Sequence, residues 1–310
     1  RAGQHIGDVA VTLLGCVDRD DNGDVVRAGL LKALQRAGEA DLVDWVQQHT
    51  SGPNSMVDRI TPRPPAGLQE RVRAATGHDD AAPVMAEHFR QWVIEDRFCH
   101  GHPDWARVGV QLVDSVLPYE EAKIRLLNAA HSGIAWAGAL RGHRFIHEAA
   151  RDAAIRRVVH DYATDDAIPC LQPSPVDLAA YRDTVLDRFG NAALQDTVQR
   201  VVMDSFAKLP GFIVPTIRER LARGESIASV AMLPALMLAF LGRWHRGELP
   251  FAYQDSAMDP ARAQAIFAAA DVVQAFCREP GLWGPLAGAP ALEAALRLAV
   301  QRVEGLVGVA

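Results

Sequence analysis

The sequence has no glycine-rich phosphate turn: neither a GxGxxG nor a GxxxxGK[ST] pattern occurs anywhere along it. It therefore carries no local signature for cradling a nucleotide pyrophosphate. It also lacks a basic block. Lys and Arg number 32 against 38 Asp and Glu, for a net charge of −6, which argues against a phosphate-backbone partner and excludes a nucleic-acid footprint. Cysteine is scarce. Cys16, Cys99, Cys170 and Cys277 lie far apart with no CxxC spacing, which points to reduced thiols in a cytoplasmic protein rather than a disulfide frame or a zinc site. Long hydrophobic runs are missing too. The strongest, SVAMLPALMLAFLG at 229–242, is short and interrupted by Pro234, so it reads as a buried helix and not a membrane span. The first residues, RAGQHIGDVA, lack the charged start and apolar stretch of a signal peptide.

What is present is a chain of 310 residues, 49% of them hydrophobic, enough for one large domain or two with a sizeable core. Residues 9–17, VAVTLLGCV, form a continuous apolar run that reads as a buried strand. After the polar turn DRDDNGD, residues 24–37 and 40–48 show helical periodicity. The stretch 50–65, punctuated by Pro and Gly, reads as a loop, and 67–77 as a short helix or turn. FRQWVIEDRF (89–98) reads as extended and VGVQLVDSV (108–116) as strand-like. From 118 onward the pattern is helical, with stretches near 118–141, 145–163, 175–189, 191–208, 211–222, 227–246, 259–277 and 289–306, their breaks carrying Pro or Gly. The expected fold is therefore mainly α: a head of about 50 residues with α/β character, a mixed connector and a helical body.

Lys123, Asn128 and His131 stand out. They lie in YEEAKIRLLNAAHSGIAWAGAL, a segment that reads as helix throughout. At ~100° per residue, Glu120, Lys123, Asn128 and His131 fall within roughly 140° of one face. A helix made only to pack would put Leu, Ile or Ala there. An amine, an amide, an imidazole and a carboxylate on one face look like a site that handles a proton and a developing oxyanion. A partly desolvated Lys123 can act as a base. Asn128 offers an uncharged N–H donor, His131 can hold a hydroxyl, and Glu120 can relay a proton to water. The plain alternatives are a solvated Lys and an i, i+3 ion pair with Glu120.

Two further groups are candidates. Asp58 and Arg59 sit in SMVDRITP, a loop that catalytic scaffolds would use for contacts, although a local salt bridge explains them equally. Arg200 and Lys208, eight apart in RVVMDSFAKLP, lie roughly two turns apart on neighbouring faces of one helix, where solvated surface cations are the ordinary reading. His143 and His147 are four apart, but without HExxH order or a third ligand no metal is expected. Trp136 with Gly138 and Gly142 reads as close helix packing.

Taken together the segments resemble the polyol-specific long-chain dehydrogenases, the mannitol dehydrogenase family. Lys123, Asn128 and His131 match its signature, NSMVDRITP (54–62) a second block and PYEEAKIRLLN (118–128) a third. FIHE, IPCLQPSPVDLAAYRDTVLDRF and KLPGFIVPTI are similar to the versions found in members that act on D-arabinitol, and the likeness spans nearly the whole chain. The resemblance implies metal-independent oxidation of a secondary alcohol of a polyol to a ketose with NAD, NADP remaining open. The substrate it points to is D-arabinitol, giving D-xylulose, with mannitol/fructose or fructuronate, or a non-catalytic polyol-binding remnant, as alternatives. It implies that Lys123 is the general base, that Asn128 stabilises the alkoxide, that His131 positions the substrate and that Glu120 gates proton escape. Arg200 and Lys208 would contact the far hydroxyls, and Val57 and Asp58 would lie near the nicotinamide. Asp18 stands where the family has an Asn that helps Asn128 form the oxyanion hole, and a carboxylate there would repel an alkoxide; Asn22 and Gly23 of the same block are retained. The implied architecture is a helical C-terminal substrate domain, similar to that of 6-phosphogluconate dehydrogenase, over residues 51–310. Ahead of it, residues 1–50 would be the trailing part of a Rossmann-type domain. The expected chain thus lacks its N-terminal nucleotide-binding half, roughly 150 residues. The partners expected are a small polyol or ketose, with no nucleic acid and no membrane.

Overall fold

The computed structural model describes residues 10–17 and 21–308. In chain order the elements are β1 (Val11–Thr12), α1 (Asn22–Arg36), α2 (Ala40–His49), β2 (Thr50–Ser51), β3 (Ser55–Asp58), α3 (Leu68–Thr76), β4 (Gln91–Glu95), β5 (Gln111–Val113) and α4 (Leu117–Ala122). A π turn (Lys123–Asn128) leads into α5 (Ala129–Leu140), followed by α6 (Ile146–Arg151) and α7 (Ala153–Tyr162). A second π turn (Ala163–Ala167) precedes α8 (Ile168–Leu171), α9 (Leu178–Phe189), α10 (Val198–Val202) and α11 (Ser205–Lys208). A third (Leu209–Ile213) precedes α12 (Val214–Ala222). The chain ends with α13 (Met232–His245), α14 (Pro260–Ala268), α15 (Val272–Cys277), α16 (Pro280–Trp283) and α17 (Pro290–Val307).

The chain divides into two compact units, residues 1–61 with 86–121, and residues 62–85 with 122–310. The boundary expected after residue 50 falls inside the first unit, because a sheet ties later residues to the head. β3 pairs antiparallel with β4, Ser55 opposite Ile94, and β4 pairs parallel with β5, Val93 opposite Gln111. β3 was expected to be loop, since Pro and Gly surround it, but its SMVD core is buried at three of four positions. Met56, Val93 and Val116 form the hydrophobic centre of this unit, with Val113 and Tyr119 against it. The strand expected over 9–17 is shorter: Val11–Thr12 pairs parallel with Thr50–Ser51. Asn22 joins α1 to β3. Its amide donates to Val17 O (2.9 Å) and Ser55 O (2.6 Å) and accepts from Ser55 N (3.0 Å), which satisfies a wholly buried side chain. Beside it only glycine fits at position 23, where a Cβ would lie 2.3 Å from Pro53 O.

The second unit is all helix among its described elements. Its helices start where the sequence supplies acceptors for free N–H groups. Asp152 caps α7, Asp177 caps α9, Thr197 caps α10, Asp259 caps α14 and Asp271 caps α15. Proline opens α14, α16 and α17, where its missing N–H costs nothing. The stretch 145–163, expected to be one helix, is broken at Asp152, whose extended backbone and capping carboxylate end α6 and begin α7. At the centre lies α5, buried at every position except His131 and packed against α6, α7, α10 and α13. A Cβ at Gly138 would come 2.8 Å from Ala149 Cβ, so α5 and α6 approach as closely as the Trp136/Gly138 pattern suggested. Among the described residues no helix is long and apolar enough to cross a membrane.

Candidate functional site

Lys123 opens the first π turn and Asn128 closes it. This corrects the regular α-helix expected from 118 to 141. Five positions along an α-helix leave two side chains about 140° apart. A turn closed by i→i+5 bonds has more residues per turn and so brings the two nearer one face, and the turn's geometry persists one step further, since the Ala129 N–H reaches back five residues to Ile124 O. Lys123 is buried (8% exposed), and Asn128 is half-buried. His131 follows three positions later in α5, less than a turn on.

His131 is the most constrained of the three. Its ring stacks on Phe189 of α9, centroids 4.6 Å apart and planes 17° from parallel. Its Nε2 is buried without a hydrogen-bond partner among the described residues and lies 3.7 Å from Asp196 Oδ2. Burial holds the imidazole neutral, with its pKa lowered to about 3. Asp196 opposes that shift, and Arg200, Lys208 and Arg188 reinforce it. A neutral, fixed imidazole can accept from or donate to a ligand hydroxyl without bringing a charge.

Arg200 and Lys208, expected two turns apart on one helix, stand on two. The chain breaks at Met203 and Asp204, the latter left-handed at φ 56°. Asp204 accepts from Ser256 N and Oγ, both at 2.8 Å, and Trp136 Nε1 pins the start of α11 by donating to Ser205 Oγ (2.8 Å). Arg200 Nε donates to Asp196 Oδ1 at 2.6 Å, and its Nη2 engages Oδ2 as well, a two-pronged pair that fixes both groups. Lys208 Nζ donates to Val201 O. Burial, with Arg200 nearby, lowers the Lys208 pKa to about 8. Asp196 and Arg200 also line an open cleft of about 640 Å³.

Asp196 and Phe189 were not singled out from the sequence. Asp196 touches both His131 and Arg200, so it orients two candidate groups at once. The only local trace was its position four before Arg200, an ordinary ion-pair spacing. His143 and His147 go elsewhere: His143 Nε2 sits 3.4 Å from Asp152, and His147 stacks on Phe145. In the first unit, Asp58 is buried (1% exposed), whereas Val57 beside it is 38% exposed. Glu120 is buried in α4 (5% exposed). Asp18 lies outside the described residues.

One unit is thus α/β and the other helical, and the helical one carries Lys123, Asn128 and His131 on a single helical segment. The family profile "Mannitol dehydrogenase C-terminal domain" matches residues 115–304, and "Mannitol dehydrogenase Rossmann domain" matches residues 2–107. The chain belongs to the mannitol dehydrogenase family. It is 54% identical to D-arabinitol 4-dehydrogenase of Ralstonia nicotianae, over 95% of this chain and 63% of the relative. It is 46% identical to the enzyme of that name from Klebsiella pneumoniae, over 96% and 65%. Among solved structures it is similar to Pseudomonas fluorescens mannitol 2-dehydrogenase in ternary complex with NAD and D-mannitol (34% identity, TM-score 0.81, 98% of this chain and 63% of that one). It is also similar to a substrate-free D-sorbitol dehydrogenase (30% identity, TM-score 0.86, 98% and 63%). The chain thus spans just under two thirds of the length of these relatives. The expected absence of a nucleotide-binding half is not supported, since the Rossmann profile runs through residue 107.

Proposed function

We propose that the protein oxidises a secondary alcohol of a polyol to a ketone, with the proton taken by Lys123. The observation that carries this reading is the π turn that begins at Lys123 and ends at Asn128, for π turns inside α-helices concentrate at functional sites. Lys123 takes the hydroxyl proton, and Asn128 donates an N–H to the oxygen as negative charge develops on it. His131, stacked on Phe189 with Asp196 3.7 Å from its Nε2, orients a neighbouring hydroxyl. Arg200 and Lys208 hold hydroxyls further along the chain of carbons. Glu120, one turn before Lys123 in sequence, carries the proton on towards water.

NAD would supply the acceptor for the hydride that leaves the carbinol carbon. The first unit fits such a group in one respect: Val57 stands out 38% exposed between the buried Met56 and Asp58, an apolar side chain suited to one face of a flat ring. NAD is favoured because the Pseudomonas enzyme holds it in its ternary complex, although a relative from Gluconobacter oxydans is named a polyol:NADP oxidoreductase. D-Arabinitol, giving D-xylulose, is the favoured substrate because two relatives at 54% and 46% identity carry that activity in their names; D-mannitol is the second reading, from the neighbour that binds it. Four unpaired cysteines suit a cytoplasmic setting.

The test is NADH formation with D-arabinitol, followed by absorbance. Lys123→Ala is expected to lower the rate about a thousandfold, the usual worth of a positioned base. No NADH with any pentitol or hexitol, and no heat of NAD binding by calorimetry, would sink the reading.

A further inference from the structure

A π turn is a departure from the α-helix that the sequence KIRLLN would adopt by default, and such departures persist where surroundings hold them. Two groups from elsewhere in the second unit grip this one. Tyr162, the last residue of α7, donates its hydroxyl to Arg125 O inside the turn at 2.8 Å. Arg125 itself reaches Glu219 of α12, Nη2 to Oε1 at 2.6 Å. One bond holds the backbone of the turn and the other holds a side chain, and their partners lie 37 and 94 residues further along the chain.

The chemistry of these groups indicates a purpose. Tyr162 is wholly buried, at 0% exposure. A buried hydroxyl is costly unless it is hydrogen-bonded, and Phe would fill the same space without that cost. Where a π turn returns to the α ladder, the regular i→i−4 sequence is interrupted and carbonyls become available to an outside donor. The Tyr162 hydroxyl meets that need. Burial also raises its pKa well above the ordinary phenol range, so it stays a neutral donor and does not carry protons.

We propose that Tyr162, seconded by the Arg125–Glu219 pair, is a positioning residue: it holds the π turn that runs from Lys123 to Asn128. Its bearing on catalysis rests on the roles proposed above for those two residues; its grip on the turn does not. Neither Tyr162 nor Glu219 touches the reacting atoms. Each acts through the backbone pitch between the base and the oxyanion donor.

Amide hydrogen exchange on the 310-residue chain tests the grip directly, with wild type, Tyr162→Phe and Glu219→Gln compared. Tyr162→Phe is expected to speed exchange over residues 123–130 about tenfold, with residues 134–140 of the same helical segment unchanged. Glu219→Gln is expected to have the same local effect, smaller, and stands in if Tyr162→Phe does not fold. Unchanged exchange at 123–130, or a uniform rise through α5, would overturn the proposal. In turnover with NAD and D-arabinitol, Tyr162→Phe is expected to lower kcat about tenfold with KM changed less than twofold. Wild-type turnover by that variant would overturn the catalytic bearing. Local loosening in a wild-type background that forms no NADH would keep the grip and overturn the function.

Discussion

Arg125 and His131 lie six residues apart on one helical segment, and each anchors a buried polar cluster, yet the two clusters are built differently. Around Arg125 two bonds close at short range, guanidinium Nη2 to Glu219 at 2.6 Å and the Tyr162 hydroxyl to the backbone carbonyl at 2.8 Å. Around His131 the Asp196 carboxylate pairs with Arg200, but the imidazole is brought close without closing. Its Nε2 stops 3.7 Å from Asp196, and burial lowers the pKa of His131 to about 3 and that of Lys208 to about 8. A matched cluster lowers the energy of the fold. A cluster that keeps neutral or strained ionisation states holds its hydrogen-bonding capacity for something else. The lesson is that burial of charge does not by itself mark a site; incomplete pairing beside a cleft does.

The sharpest way to break this comparison is to remove the anchor of each cluster. Arg125→Met takes the 2.6 Å partner from the Glu219 carboxylate and leaves it Arg223 at 3.8 Å, and because Glu219 is 30% exposed and keeps some hydration, the loss should be about 2–4 kcal/mol. Asp196→Asn removes the partner of Arg200, which is 37% exposed on its own, so its cost should be about 1 kcal/mol or less. Denaturant unfolding measures both. Equal losses would mean that the two clusters do the same job.

Next in size is the acid limb. His131 titrates near 6.5 when unfolded but about 3 when folded, so between those values the unfolded chain binds the extra proton. Stability at His131 is therefore full above pH 6.5 and falls as pH drops towards 3. The groups facing it are Asp196, which opposes the shift, and Arg200, Lys208 and Arg188, which strengthen it. His131→Gln should remove this dependence, and the difference between wild-type and variant stability should change by about 3 kcal/mol from pH 7 to pH 4. A flat difference would mean that His131 is protonated in the folded protein, and the contrast with Arg125 would lose its basis.

How far the sequence foretold these clusters differs between them. Lys123, Asn128 and His131 were visible because polar residues interrupt an apolar face. The π turn joining them was not, since KIRLLN suits an α-helix equally and the deciding contacts come from Tyr162, 37 residues away, and Glu219, 94 away. Arg200 and Lys208 were visible as residues but not as a pair on separate helices, because the break at Asp204 depends on Ser256, 52 residues later. β3 was hidden for the same reason: four residues among Pro and Gly become a strand only once β4 lies beside them. Local periodicity set the elements; long-range bonds set their breaks.

The smallest effect lies on the basic side and tests the same contrast through Lys208. An amine with a folded pKa of about 8 and an unfolded value of 10.5 binds its proton more tightly in the unfolded chain. Between these values the unfolded state carries more protons, so stability rises as pH climbs from 8 towards 10.5. Below pH 8 the folded protein bears the full cost of a charged, half-buried ammonium beside Arg200, only partly relieved by Asp204, Asp255 and Asp196. Lys208→Met takes that cost away. The variant should be more stable than wild type at pH 7, by about 1–2 kcal/mol, and the gap should narrow by pH 10. Comparing the two proteins at each pH cancels the titration of other groups, including Tyr162 and Tyr253, whose phenols burial keeps protonated. A variant no more stable than wild type at pH 7 would place Lys208 among the matched charges, with Arg125, and would leave His131 as the sole strained member of its cluster.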